Sequence, residues 1–296
     1  MQEICRDFDR FVGIDWSGRE KNYKGVTVAH CGQDSIVHPA VAVAGHWRRE
    51  AVAYWIAERV ARGERLLVGF DFGFSLPWLE GVGYLDGRTD QDHMFDLWNL
   101  VHVAANGAAD DFGGAAVSHP LFQPSYWIRG TRPAHWGDGT GKRRQTEIAA
   151  AAGGLGRPES LFKLIGSKQV GKASLAGMLT LRRLRNLLGD RLAVWPAQTP
   201  GPDQSVIVEV FPTLFRKQVN GNVNKIREKA ELERCLAPFG CRLAWNDLLD
   251  YNDDLGDAII TAAGLSRLAA KPGVWNPSGM TAETARREGW IFGVGA

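Results

Sequence analysis

The stretch FVGIDWSGRE, residues 11 to 20, runs an apolar strand into Asp15 and then breaks at Trp16, Ser17 and Gly18. A second apolar run, ERLLVGFD at 64 to 71, ends in the same way at Asp71, with almost no polar interruption before it. Such an unbroken run suits a strand covered on both faces. Between the two lie YKGVTVAH (23–30) and DSIVHPAVAV (34–43), β-rich segments parted by the turn-prone CGQD. They read as an antiparallel meander with the first strand. WRREAVAYWIAERVAR (47–62) then gathers its apolar residues on one helical face and stops at Gly63.

Farther along the chain, residues 80 to 160 are rich in glycine and aromatics, with GVGYLDG, FGG, GDGTGK and AAGGLG as punctuation and QDHMFDLWNLVHVAA (91–105) as a short helical piece. This region reads as an insertion with long loops. A helix at SLAGMLTLRRLRNLL (174–188), the segment DRLAVW, a Pro-rich break, the strand SVIVEVFP (205–212), a charged amphipathic stretch near 223–238 and a last helix over 253–270 complete the order. The expected fold is α/β, with a mixed central sheet flanked by helices, in one domain spanning 1–296 and carrying the insertion at about 80–160.

The 296 residues and 45% hydrophobic content support a substantial core. Thirty-five basic against 33 acidic side chains, net +2, exclude a general coat for nucleic acid, so any such contact is local. Cys5, Cys31, Cys235 and Cys241 form no CxxC pair, which fits free buried thiols and a reducing, cytoplasmic setting. No segment approaches the roughly 18 apolar residues of a membrane span, and the charged N-terminus lacks a signal-peptide core. The seven histidines form no HxH or HExxH pattern, so His30, His38 and His46 read as packing partners.

Carboxylates carry the chemical signal. Asp15 and Asp71 close their strands, Glu209 lies within SVIVEVFP, and Asp257 lies in DDLGDAIITAAGL, three residues after Asp254 and four after Asp253. Asp253 and Asp254 read as capping acids at a helix start. Ligands in open sheets collect at strand ends, and acids brought together there repel unless a cation intervenes. Mg²⁺ or Mn²⁺ is the expected cofactor, held by Asp15, Asp71 and Asp257.

The stretches GIDWSG, GFDFGFSLP, KQVGKASLAGMLTL, EVFPTLF, DDLGDAIITAAGL and REGWIFGV, in that order, resemble the family named domain of unknown function 429, predicted nucleases of the ribonuclease H-like superfamily. The resemblance spans nearly the whole chain. It is similar also to the acid arrangement of RuvC-type resolvases. It implies a ribonuclease H-like sheet, Asp15, Asp71 and Asp257 as metal-binding catalytic acids with Glu209 as a fourth, and DNA or RNA as substrate. It departs at Asp71, where many relatives of the wider fold carry Glu, a longer arm for spacing metals.

A phosphate signal stands beside the acids. GSKQVGKAS (166–174) nearly spells a P-loop, broken at Ala173. Lys168 or Lys172 at a helix start, Ser17 in the D-x-S-G turn, and Arg129 and Arg132 in the insertion are candidate phosphate contacts, the last two among aromatics that read mainly as packing anchors. The leading expectation is a metal-dependent nuclease. An actin-like ATP-binding phosphotransferase or ATPase, or a non-catalytic binding protein, are the alternatives.

Overall fold

The computed structural model describes residues 7–20, 25–166, 169–221, 224–244 and 251–296. Seven strands form one mixed sheet in the order β5-β6-β4-β1-β2-β3-β7. They are β1 (Arg10–Asp15), β2 (Thr27–Gly32), β3 (Ile36–Ala40), β4 (Leu66–Phe70), β5 (Leu192–Val194), β6 (Ser205–Glu209) and β7 (Arg242–Leu243). β1, β2 and β3 make the antiparallel meander; β4 lies parallel to β1, and β6 parallel to β4.

The helices are α1 (Arg49–Ala61), α2 (Met94–Ala105), α3 (Gly114–Val117), α4 (Gln145–Ala152), α5 (Gly171–Leu188), α6 (Pro212–Asn220), α7 (Lys229–Leu236), α8 (Asp253–Leu268) and α9 (Ala282–Arg287). They cover the sheet on both sides. Val12, Ile14, Val68, Phe70 and Ile207 face a core shared with α1, α2 and α5, while Phe11, Leu67, Val206 and Val208 face one shared with α6, α7 and α8. This is the period-2 alternation of a pleated strand, applied to a sheet with no wet face at its centre. No helix among the described residues is long and apolar enough to cross a membrane.

VGID in β1 and VGFD in and after β4 occupy matching registers, Gly13 opposite Gly69 and Ile14 opposite Phe70. The glycines point to the α8 side. A Cβ on Gly13 would lie 2.2 Å from the Ala258 carbonyl oxygen and 2.7 Å from Ala262 N, and one on Gly69 would meet Leu265 and Val210. Glycine here lets α8 sit directly on the strand backbones. That close seat fixes the first turns of α8 above the strand ends two residues later.

Residues 80–160 hold short helices joined by loops with aromatic contacts between them. The Trp127 and Trp136 rings meet edge to face at 5.6 Å, Tyr126 packs on Phe162, and the Trp98 indole donates to the Phe74 carbonyl at 2.7 Å. Cys31, Cys235 and Cys241 are free and buried, as expected; Cys5 lies outside the described residues. His30 stacks between His38 and Trp55.

Candidate metal centre

Parity along the strands decides which acids meet. Asp15 follows Gly13 by two positions and Asp71 follows Gly69 by two, so both carboxylates point to the α8 face at the carboxyl ends of neighbouring parallel strands. The backbone supports this juxtaposition, since Asp71 N–H donates to the Ile14 carbonyl at 3.1 Å. Among the described residues neither carboxylate accepts a hydrogen bond or makes an ion pair, although Asp15 is only 9% exposed.

The cost of that isolation appears in their ionisation. Burial raises the Asp15 pKa well above the ordinary carboxylate value, and Asp71, Asp254 and Asp257 add to the rise while Lys225 opposes it. Burial likewise pushes Asp71 up to about 7; Asp257 adds to the effect, and Arg216 and Lys225 oppose it.

Asp257, from the second turn of α8, is brought to the same place but arrives with partners. The Arg216 guanidinium of α6 donates to one of its oxygens and also to Thr213 Oγ1 at 2.7 Å, and Lys225 Nζ stands 3.5 Å from the other oxygen. Burial still raises its pKa against these two cations. Lys225 also pairs with Asp254 at 2.7 Å and Asp253 at 3.6 Å. The cap of α8 is Asn252, whose Oδ1 accepts from Leu255 N–H at 2.8 Å, so Asp253 and Asp254 are not the capping residues. Asp254 belongs instead to the charges around Asp15.

Glu209 does not join them. Its register opposite Phe70 places it with Ile207 on the other face of the sheet, because Val208 and Val210 take the α8 face. There Arg144 grips both its oxygens, at 2.7 and 2.5 Å, and Phe74 N–H donates to it at 2.9 Å. The expectation of a fourth metal acid is corrected by this pairing: Glu209 is a structural anion.

The phosphate candidates divide in a similar way. Gly18 packs on the start of α5, where a Cβ would fall 2.3 Å from Ala173 N, and Gly73 N–H donates to Ser174 Oγ at 3.1 Å. The loops leaving both acids thus abut one helix N-terminus. A cavity of about 460 Å³ opens there between Trp16, Ser17 and Gly18 and the residues Gln169, Lys172 and Ala173. Lys172 is exposed, and the Trp16 indole N–H is buried without an acceptor among the described residues. Ser17 Oγ accepts from Arg19 N–H at 3.3 Å, while buried Arg49 holds the turn by donating to the Ser17 and Arg19 carbonyls at 3.0 Å.

Lys168 lies outside the described residues. Among the described residues no strand leads into α5 as a P-loop would need: residues 161–166 form turns and bends around an isolated bridge, Trp127 to Lys163. Arg129 and Arg132 sit on an exposed loop between residues 127 and 134, where Arg132 donates to the Asp138 carbonyl at 3.2 Å, and among the described residues no hydrogen bond or ion pair links either to the acids or to the start of α5.

Lys225, Arg216 and Asp254 are the site residues that sequence reasoning missed. The two cations come from segments whose approach to α8 depends on tertiary packing. For Asp254 a signal existed, because an Asn at 252 is itself a strong cap and frees the following acids.

No three His, Cys, Asp or Glu side chains among the described residues are gathered closely enough to hold an ion as they stand. Mg²⁺ asks for less, one or two carboxylates completed by water and phosphate oxygens. Asp15 and Asp71 supply that number, and their mutually repelling oxygens, unpartnered among the described residues, fit a divalent cation. No protein-family model matches the chain, and neither does any curated protein or solved structure.

Proposed function

We propose that this chain is a divalent-cation-dependent nuclease of ribonuclease H-like type, cleaving phosphodiester bonds at the carboxyl ends of β1 and β4. The observation that carries the reading is the Asp15–Asp71 pair, side by side at the ends of neighbouring parallel strands, with Asp15 buried and neither carboxylate in an ion pair among the described residues. Bound Mg²⁺ or Mn²⁺ would supply charge neutralisation on a phosphoryl oxygen and a water made acidic enough to attack.

The chain's own residues do the rest. Asp15 and Asp71 would hold the cation, and Gly13 and Gly69 let α8 close the site from above. Arg216 fixes Asp257 as a hydrogen-bond acceptor beside the pair. Lys172 and the backbone N–H groups opening α5 face a cavity next to the strand ends, a place for a flanking phosphate of DNA or RNA.

Purified protein with Mn²⁺ is expected to cleave at least one of a branched junction, an RNA–DNA hybrid or a single strand. Asp15→Asn should lower the rate about a hundredfold or more, corresponding to a loss of roughly 3 kcal/mol of transition-state stabilisation. Cleavage left intact by Asp15→Asn would contradict the reading.

A second reading has an observation of its own. The cavity beside the D-x-S-G turn also fits the phosphates of Mg-ATP in an actin-like phosphotransferase or ATPase. Calorimetry with Mg-ATP separates the two, since this alternative requires nucleotide affinity in the absence of nucleic acid.

A further inference from the structure

We propose that Lys225 is a built-in second cation of this site, so that the centre takes one divalent ion rather than two. The inference rests on the reading of Asp15 and Asp71 as the cation-holding pair. It begins from positions: Lys225 Nζ lies 2.7 Å from Asp254, 3.5 Å from Asp257 and 3.6 Å from Asp253, while forming no ion pair with Asp15 or Asp71 among the described residues.

One ammonium therefore serves the α8 side of the cluster and leaves the strand side open. Arg216 reinforces the division by holding the other Asp257 oxygen from beneath, with its own side chain buried. The observation that points to a ligand is Asp15, nine-tenths buried, accepting no hydrogen bond among the described residues, and set among Asp71, Asp254 and Asp257.

Charge gives the stoichiometry. Asp15, Asp71, Asp254 and Asp257 present four negative charges when ionised, and Lys225 and Arg216 present two positive ones. Two negative charges remain, the charge of one divalent ion. Asp253, at the rim with a side chain 44% exposed, is screened by water and adds little demand for a second. A second ion would draw on the oxygens of Asp254 or Asp257, and both are already held by protein cations. Lys225 would then act as a positioning residue, holding the α8 acids in place while the ion sits between the strands.

Counting bound Mn²⁺ by calorimetry, with free Mn²⁺ followed by electron paramagnetic resonance, tests this without relying on activity. The wild-type protein should bind one ion at this centre, lost in Asp15→Asn. Lys225→Met should bind two, and Lys225→Arg, which keeps the charge, should again bind one. One ion in wild type and one in Lys225→Met would overturn the role given to Lys225 and leave the nuclease reading standing, as would two ions in wild type. No Mn²⁺ in either protein would overturn both. Should Lys225→Met not fold, Lys225→Gln and the wild-type count decide the matter by the same outcomes.

Discussion

Two groups of acids, buried or half-buried, lie on opposite faces of one sheet, a few residues apart, and they are built in contrary ways. On one face, Glu209 is gripped by Arg144, which also donates to Glu147 at 2.9 Å and to the Glu288 carbonyl at 3.1 Å. Glu288 in turn accepts from Trp78 and Gln145 backbone N–H groups at 2.7 Å each. On the other face, Asp15 and Asp71 have no such partners among the described residues. The first group is a closed network that joins β6, the insertion and the C-terminal segment. The second lacks its own compensation, which is how a protein keeps a place for a ligand at the expense of stability.

The sharpest way to break the comparison is to remove one charge from each side. Arg144→Met strands Glu209 and Glu147 without their counter-ion and should destabilise the protein by about 3–5 kcal/mol. Asp71→Asn relieves repulsion and should leave stability at pH 8 unchanged or higher when no divalent ion is present. Urea denaturation of both variants checks the opposite signs; a large loss in Asp71→Asn would show that the strand acids are structural too.

A smaller effect is expected from Gly13→Ala, whose Cβ would collide with the α8 backbone. Lifting α8 should cost about 1–3 kcal/mol in denaturation and weaken Mn²⁺ binding as well, because the α8 acids move with the helix. Gly18→Ala, in the turn that packs on the start of α5, should spare metal affinity.

The pH dependence is subtler. A carboxyl group whose folded pKa is raised binds more protons in the native state, so its contribution to stability falls as pH rises from about 4, its unfolded value, through the folded value. Asp71, pushed up to about 7, and Asp15 therefore weaken the cation-free protein across that window, and Glu147, also pushed up to about 7 by burial, contributes on the other face. Saturating Mn²⁺ should flatten the part due to Asp15 and Asp71 and leave the Glu147 part. Thermal melts from pH 5 to 8 with and without Mn²⁺ measure the difference. A ligand at a hundred times its Kd adds about 2.7 kcal/mol.

Much of this arrangement was legible in the sequence, for physical reasons that can be named. Apolar runs ending at Asp15 and Asp71, and helical spacing around Asp257, announced strands and a helix whose ends meet, and the meander, α1, β4 and α8 lie where periodicity places them. The side of the sheet taken by Glu209 was not legible, because a residue's face depends on register with β4 as well as on its own strand. Arg144 and Glu209 are 65 residues apart, and the Lys225 contact to α8 spans 29, distances over which sequence pattern carries no pairing information. The near-P-loop misled because its spacing appeared without the strand that gives the motif its geometry.

The central claim, that Asp15 and Asp71 together hold a divalent cation, is tested most directly by anomalous diffraction from a crystal soaked in Mn²⁺. The account predicts one peak between the two carboxylates, each with an oxygen about 2.0–2.2 Å from it, and none in Asp15→Asn. A map without that peak, with Asp15 and Asp71 turned toward Lys225 or Arg216, would contradict it.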